Sequence, residues 1–178
     1  MSTKNRYWWF IAYPESLVDE WQDVLESSLL PIYISPLHQY DINPDGSAKK
    51  PHYHIIVCFD GPTTYNNVYE NLCKPIGATI PKQCFTLQGA YDYLTHNNHP
   101  DKYQYEKKDI VYLNGATEEE ANKYEVTGQY FSYIINLIVT QNIKNFRQLV
   151  LVIKSENNPT LNEIIKNNVL YWNSFLKE

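Results

Sequence analysis

Two histidines separated by a single residue, His52 and His54, are the clearest chemical feature of this chain. The apolar, β-branched residues that follow them predict a strand. Because residues i and i+2 of a strand point to the same face of a sheet, both imidazoles should project together. Two nitrogen donors on a rigid support make half of a metal site, although two histidines on an exposed sheet face would give the same pattern.

Two more potential ligands precede this pair. His38 ends a predicted strand at 32–38, Asp41 follows it, and an Asn-Pro-Asp-Gly turn occupies 43–46. This turn predicts an antiparallel hairpin with a strand at 52–59, which would bring both residues to the same end of the sheet as the histidine pair. Imidazole suits Zn, Fe, Ni and Cu, whereas carboxylate suits Mg and Mn. A mixed site with open positions could act as a Lewis acid.

A tyrosine and a histidine, Tyr93 and His96, lie three residues apart in a predicted helix over 89–96 and would share one of its faces. A tyrosine attacks phosphorus well only as phenolate, and its ordinary pKa is ~10, so a metal or imidazole should lie nearby. The chain has 16 tyrosines, and core packing is the ordinary role of any one of them. The residues alone therefore do not select Tyr93.

The elements that would carry these groups mix strands and helices. Strands are predicted at 6–13, 32–38, 52–59 and 82–88, and helices at 17–29, 63–73 and 89–96. Ser16 and Asp19 predict the start of the first helix, and capping boxes at Thr117 and Thr160 predict later helix starts. We therefore predict an α+β domain over 1–116, with a central antiparallel sheet flanked by helices, and an all-helical region over 117–178 that packs on it or on other copies.

Composition narrows the class of protein. The hydrophobic fraction of 43% is typical of a globular protein. We expect no membrane span and no secretory signal, and the three cysteines without a CxxC pattern predict a reduced, cytoplasmic protein. The net charge of −5 argues against tight non-specific DNA binding, but the acids cluster at 15–26. The lysine pairs at 49–50 and 107–108 could contact phosphates or be solvated surface lysines.

Four segments together resemble a known family. AYPES (12–16), ISPLHQYD (34–41), KKPHYHIIV (49–57) and YLTH (93–96) are similar in order and spacing to the characteristic stretches of the HUH endonucleases, and within them of the RepB-like initiators of plasmid rolling-circle replication. The resemblance covers residues 6 to 115. The helical tail is similar only in placement to the oligomerisation domain of that family.

The resemblance implies an RRM-like or ferredoxin-like fold and a set of roles. His38, Asp41, His52 and His54 match the metal ligands, and Tyr93 matches the nucleophile. The implied reaction is nicking and rejoining of single-stranded DNA at a plasmid origin, often in an extruded hairpin, through a 5′-phosphotyrosine. The implied metal is Mn²⁺, with Mg²⁺ as the other choice, because three nitrogens suit Mn²⁺ better. The implied partners are origin DNA, further copies of the chain and host replication proteins.

Several points depart from the family pattern or stay open. Many related initiators carry a lysine where this chain has His96, which could orient the phenol, contact phosphate or cap the helix. With one tyrosine in the motif, termination needs another subunit or another nucleophile. The auxiliary or DNA-contacting candidates are Lys49, Lys50, Lys107 and Lys108. The alternatives are an HUH transposase or relaxase, and a non-catalytic origin-binding protein that controls replication.

Overall fold

The computed structural model describes residues 4–176, with side chains throughout that range apart from positions 124–126. The chain divides into two compact units, with the division between Asn122 and Lys123. Each unit has a hydrophobic core of its own. The functions predicted for 1–116 and 117–178 stay predictions.

The first unit is built on a five-stranded sheet in the order β4-β1-β3-β2-β5, and every neighbouring pair of strands is antiparallel. The strands are β1 (Lys4–Ala12), β2 (Ile32–Ile34), β3 (Tyr53–Thr64), β4 (Lys82–Gln83) and β5 (Val111–Leu113). The helices are α1 (Trp21–Glu26), α2 (Tyr65–Val68), α3 (Lys74–Ile76) and α4 (Leu87–Tyr93), and a π-helical turn, Tyr69–Cys73, joins α2 to α3. The predicted α+β fold with a central antiparallel sheet is confirmed.

Alternation along β3 assigns its side chains to two cores, one on each face of the sheet. Ile55 and Val57 belong to the core that also contains Leu25 of α1. Ile56 belongs to the other core, which contains Tyr91 of α4. His54 has the same parity as Ile56, so the period of two in a strand directs it to the face that α4 covers.

The predicted hairpin is confirmed. Strands β2 and β3 pair antiparallel, with Tyr33 opposite Ile56. Beyond Pro36, where β2 has already ended, the two arms meet again at an isolated bridge between His38 and His52. At the tip Gly46 adopts a φ of 83° and its N–H donates to the Asn43 carbonyl at 2.9 Å, which fits the predicted turn.

The first helix is shorter than predicted. Its apolar spacing begins at Leu17, but the helix begins only at Trp21, and Ser16 lies in a 3₁₀ turn, Pro14–Ser16. The break comes at Glu20, whose φ of 54° is left-handed. Residues before it pack in irregular conformation instead, and the Val18 N–H donates to the Ile76 carbonyl at 3.3 Å. The helix start predicted from Ser16 and Asp19 was therefore wrong.

The strand predicted at 82–88 is also shorter, because α4 already begins at Leu87. The Thr86 side chain accepts a hydrogen bond from the Gly89 N–H and caps this helix. The helix ends at Tyr93, before the predicted end, and His96 has a left-handed φ of 60°. His96 thus lies in the turn after α4 rather than on the helix itself.

The remaining helices are α5 (Glu118–Thr140), α6 (Phe146–Ser155), α7 (Pro159–Asn167) and α8 (Val169–Phe175). The core of the second unit is built around the buried Trp172. The cap predicted at Thr117 is confirmed, since its hydroxyl accepts from the Glu120 N–H at 3.1 Å. The cap at Thr160 was wrong, because Asn158 caps α7. Within residues 4–176, none of the helices has the length and apolarity that crossing a bilayer requires.

Candidate functional site

The backbone of the hairpin positions the first three histidines. The His38 N–H donates to the His52 carbonyl at 2.9 Å, and the His52 N–H donates back to the His38 carbonyl at 3.3 Å. His54 lies two residues along β3, where its N–H donates to the Ser35 hydroxyl at 2.9 Å. The centroid of the His38 ring is 5.4 Å from the centroid of the His52 ring and 4.8 Å from that of the His54 ring.

Two groups of three potential ligands share His38. The first consists of His38, His52 and His54, and the second of His38, Asp41 and His96. In each group the potential ligand atoms all lie within 4.8 Å of one another. The structure therefore brings together all of the predicted ligands, but in two overlapping triads, and it adds His96 to them.

Hydrogen bonds to backbone carbonyls orient three of these rings. His38 donates from Nε2 to the Leu94 carbonyl at 2.9 Å, His52 from Nδ1 to Lys50 at 2.8 Å, and His96 from Nδ1 to Tyr103 at 2.8 Å. A carbonyl can only accept, so each neutral ring carries its lone pair on the other nitrogen. This arrangement is typical of metal-binding histidines, whose second N–H is held by a carbonyl or carboxylate.

The lone-pair nitrogens of His38 and His96 and Nδ1 of His54 are buried, whereas the lone-pair nitrogen of His52, Nε2, is 3.2 Å from Nε2 of His54. Among the described residues no hydrogen-bond partner reaches Nδ1 of His38, Nδ1 of His54 or Nε2 of His96. Burial is also the main cause that lowers the pKa of His38 to about 4 and lowers the pKa values of His54 and His96. These rings are therefore neutral near pH 7, the form in which imidazole binds a metal.

Asp41 lies on the other side of the cluster. Its Oδ2 is 3.7 Å from Nδ1 of His38, 3.8 Å from Nε2 of His96 and 3.9 Å from the Lys49 ammonium. The Tyr105 hydroxyl donates to the second oxygen, Oδ1, at 3.0 Å. Asp41 is 5% exposed, so these contacts replace most of the water around its carboxylate.

Tyr105 supports two of these residues, and nothing in the sequence pointed to it. Besides its hydrogen bond to Asp41, its ring stacks on His38 with centroids 4.2 Å apart and planes 2° apart. Burial raises the pKa of Tyr105 to about 12, so the phenol stays protonated and can donate. It lies 64 positions from Asp41 in the chain, so no local spacing could reveal the contact.

Tyr93 faces the histidine cluster. Its ring centroid is 5.1 Å from those of His54 and His96, and 5.2 Å from that of His99, each in an edge-to-face arrangement. Two residues earlier, Tyr91 is buried in the core and its hydroxyl is 2.7 Å from that of Tyr112. The two tyrosines of α4 therefore have different surroundings: Tyr91 lies in the core, and Tyr93 lies beside the histidines.

The Tyr93 hydroxyl has a cation beside it. Lys102 donates from Nζ to Tyr93 Oη at 2.7 Å, and the same ammonium lies 4.4 Å from the centroid of the tyrosine ring. Lys102 lies in the irregular segment after α4, where no periodicity predicts which side chains turn back toward the helix. Sequence reasoning missed it for that reason.

The four lysines singled out from the sequence lie in different surroundings. Lys49 lies beside Asp41. Lys50 forms an ion pair with Glu15. Lys107 forms an ion pair with Glu118, with 2.9 Å between its Nζ and Oε1 of the glutamate. Lys108 is exposed. The ion pairs of Lys50 and Lys107 are at the surface, so they would cost little to exchange for phosphate contacts.

Comparisons with known proteins show the family to which this chain belongs. Residues 1–118 match the family described as plasmid replication protein, origin binding domain. The chain is 39% identical over 112 residues to replication protein RepB of Lactiplantibacillus plantarum, covering 63% of this chain and 50% of the relative. It is 32% identical over 151 residues to a replication protein of Staphylococcus aureus, covering 84% and 75%. It is 28% identical over 157 residues to replication protein RepB of Streptococcus agalactiae, covering 82% and 75%.

The family match includes every residue of the site just described, from His38 to Tyr105. This chain belongs to the family of plasmid replication proteins with an origin-binding domain. It spans about half the length of the Lactiplantibacillus plantarum relative.

Proposed function

We propose that this protein initiates plasmid replication by nicking and later rejoining single-stranded origin DNA through a covalent bond to Tyr93. The observation that carries the proposal is the placement of the Tyr93 phenol, which lies against two buried, neutral histidines and accepts a hydrogen bond from Lys102 at 2.7 Å. Within a family of origin-binding domains, a phenol held beside potential metal ligands is suited to attack a phosphodiester.

The residues present fit a divalent metal. Buried imidazole nitrogens without a protein partner, second N–H groups fixed by carbonyls, and a carboxylate in the same cluster are the features expected of a metal site. His38, Asp41, His52 and His54 would hold the ion, with His96 beside Asp41 as a further ligand or orienting group. When bound, the metal would neutralise charge on the non-bridging phosphate oxygens.

The chain itself would supply the nucleophile and its activation. Tyr93 Oη attacks the phosphorus and gives its proton to water, and the bond from phosphorus to the 3′-oxygen breaks. The 3′-oxygen takes up a proton and becomes the hydroxyl that primes synthesis, while the 5′-phosphate stays on Tyr93. The Lys102 ammonium is placed to stabilise the negative charge that develops on Oη.

The reverse reaction needs no outside energy source. The phosphotyrosine preserves the energy of the phosphodiester, so a 3′-hydroxyl placed at the same position can attack it and release Tyr93. This nicking and closing resembles that of a topoisomerase. A termination step by another subunit would use the same geometry.

An adduct assay tests the proposal. The protein is incubated with Mn²⁺ and single-stranded segments tiled across the plasmid that carries its gene, and covalent protein–DNA adducts are detected on a denaturing gel. We expect an adduct with one segment, its loss in EDTA, and its loss in Tyr93→Phe. Tyr91→Phe removes a hydroxyl from the same helix and should still form the adduct. An adduct that persists in Tyr93→Phe would refute the role of Tyr93.

We favour Mn²⁺ over Mg²⁺ because most of the proposed ligands are nitrogens, and Mg²⁺ prefers oxygen ligands and retains its waters. Calorimetric titration of the EDTA-treated protein with each ion should give the lower Kd for Mn²⁺. Equal or tighter binding of Mg²⁺ would overturn this preference.

A second candidate function is origin binding without cleavage, which the family description favours because it names binding only. In that case the protein would shift origin DNA on a gel in the presence of EDTA and would cleave it in no metal. The replication proteins among its relatives favour a role in replication over the transposase or relaxase alternative.

A further inference from the structure

A cleft of about 330 Å³ opens on one side of Tyr93 and His54, which both line it. Trp9 of β1, whose ring centroid is 5.6 Å from that of His54, also lines it, as do residues between β4 and α4, including Phe85. The volume is at the lower end of the range for ligand pockets, which is about 300–1,000 Å³. The cleft is therefore continuous with the candidate site and large enough for a small planar group.

Aromatic side chains are among the residues that line the cleft. Phe85 is 103% exposed, although the other aromatic side chains of the sheet unit are at least partly covered. Trp9 is half-buried, and the Lys82 ammonium lies 5.4 Å from its ring centroid. A phenyl ring held fully in solvent gains nothing for folding, so the ring of Phe85 is free to stack on a ligand that enters the cleft.

Polar groups accompany these rings. The exposed side chain of Gln83 and the Thr86 hydroxyl line the same cleft. A primary amide can both donate to and accept from the edge of a nucleobase. Aromatic faces with a few polar groups are the features by which proteins hold unpaired bases of single-stranded nucleic acid.

We infer that this cleft binds one unpaired base of the DNA strand, the base next to the phosphate that Tyr93 attacks. The inference rests on the proposed function, since it assumes a scissile phosphate at Tyr93. Phe85 and Trp9 supply the stacking surfaces, and the amide of Gln83 contacts the edge of the base. Holding a neighbouring base fixes the position of the strand, which places the phosphorus in line with Tyr93 Oη.

Binding measurements with defined strands test the inference independently of cleavage. The full-length protein is titrated in EDTA with fluorescein-labelled oligothymidylate and with an abasic strand of equal length, which keeps the phosphates but has no bases. We expect the abasic strand to bind roughly 5- to 150-fold more weakly. Phe85→Leu should weaken binding of oligothymidylate and leave binding of the abasic strand unchanged, whereas Phe85→Trp should bind both strands like the wild type.

Phe85 is fully exposed, so its replacement should leave the fold intact. Val111→Ala serves as the control, since it shortens an exposed apolar side chain on β5 at the opposite edge of the sheet. Photocrosslinking with an iodouracil-containing strand locates the base: crosslinks on Phe85 or Trp9 support the inference. Equal affinity for both strands, or crosslinks confined to other regions, would overturn it.

The two proposals fail in different ways. If adducts form on origin DNA but Phe85→Leu binds oligothymidylate like the wild type, the base subsite is wrong and the nicking function stands. If no metal gives an adduct but Phe85→Leu still weakens binding of oligothymidylate only, the cleft binds a base and the nicking function is wrong.

Discussion

The Lys102 ammonium is the group best placed to control the charge on Tyr93 Oη, from which it is 2.7 Å away. Lys102→Met keeps most of the aliphatic stem but removes the charge. We expect it to lower the single-turnover rate of adduct formation at saturating DNA roughly 100-fold, the usual effect of deleting one such donor. The Kd for single-stranded DNA should change by much less.

Lys74→Met is the matched control, because Lys74 is an exposed lysine that pairs with Glu70 at 2.7 Å on the surface. Lys102→Arg should recover part of the rate, since guanidinium restores the charge with altered geometry. A full rate for Lys102→Met with unchanged DNA affinity would remove Lys102 from the mechanism.

Tyr105 should influence metal binding through Asp41. Tyr105→Phe keeps the ring that stacks on His38 but removes the hydroxyl that donates to Asp41 at 3.0 Å. Loss of such an outer hydrogen bond typically weakens metal binding about 10–100-fold. Calorimetric titration with Mn²⁺ should show this loss for Tyr105→Phe, and Tyr103→Phe, which alters an exposed neighbour, should bind like the wild type.

The clustering of the candidate ligands His38, Asp41, His52 and His54 was predictable from sequence, and the positions of Lys102 and Tyr105 beside them were not. A strand period of two placed His52 and His54 together, and the turn after Asp41 predicted the hairpin that adds His38. Lys102 and Tyr105 reach the site from an irregular segment, where conformation depends on tertiary contacts. The folded structure shows their positions, and no sequence spacing indicates them.

The turn after α3 depends on one glycine. Gly77 adopts a φ of 76°, and a Cβ at this position would overlap the carbonyl oxygen of Ser16. Gly77→Ala should therefore lower the free energy of unfolding by about 3 kcal/mol or more, measured by urea denaturation. Gly46→Ala is the control, since its φ of 83° is equally left-handed but its Cβ would meet nothing within 4 Å. It should cost only about 1 kcal/mol; equal losses would mean that the contact with Ser16 is unimportant.

Elements with a strong periodic pattern and local turn signals were predicted well, as the hairpin and the α5–α8 region show. Elements interrupted by unusual backbone were not. Glu20 and His96 have left-handed φ values of 54° and 60°, and each marks a helix end that apolar spacing did not reveal. Glutamate rarely adopts this conformation, so its occurrence at Glu20 reflects contacts elsewhere in the fold, whereas histidine is one of the non-glycine residue types that adopt it more often.

The end of the sheet unit has consequences for fragments. The Tyr33 hydroxyl donates to the Thr117 carbonyl at 3.1 Å, and Ala121 is fully buried in the core around Tyr91. A fragment of residues 1–122 keeps both contacts, whereas a fragment ending at the predicted boundary of 116 loses both. We expect the longer fragment to be more stable by about 1–3 kcal/mol, measured by urea denaturation. Equal stability would place the domain boundary at 116.

The same fragments address assembly. If the helical region carries oligomerisation, as the resemblance implies, residues 1–122 should sediment as a monomer while the full chain sediments as a larger species. If the full chain and the fragment sediment alike, the helical region does not carry oligomerisation.

The outermost strands of the sheet are very short: β4 has two residues and β5 has three. Such edges leave few main-chain N–H and C=O groups for a strand of another molecule to pair with, which disfavours edge-to-edge aggregation and amyloid-like growth. Association between copies is then left to side-chain surfaces, which a change of sequence can tune without altering the sheet.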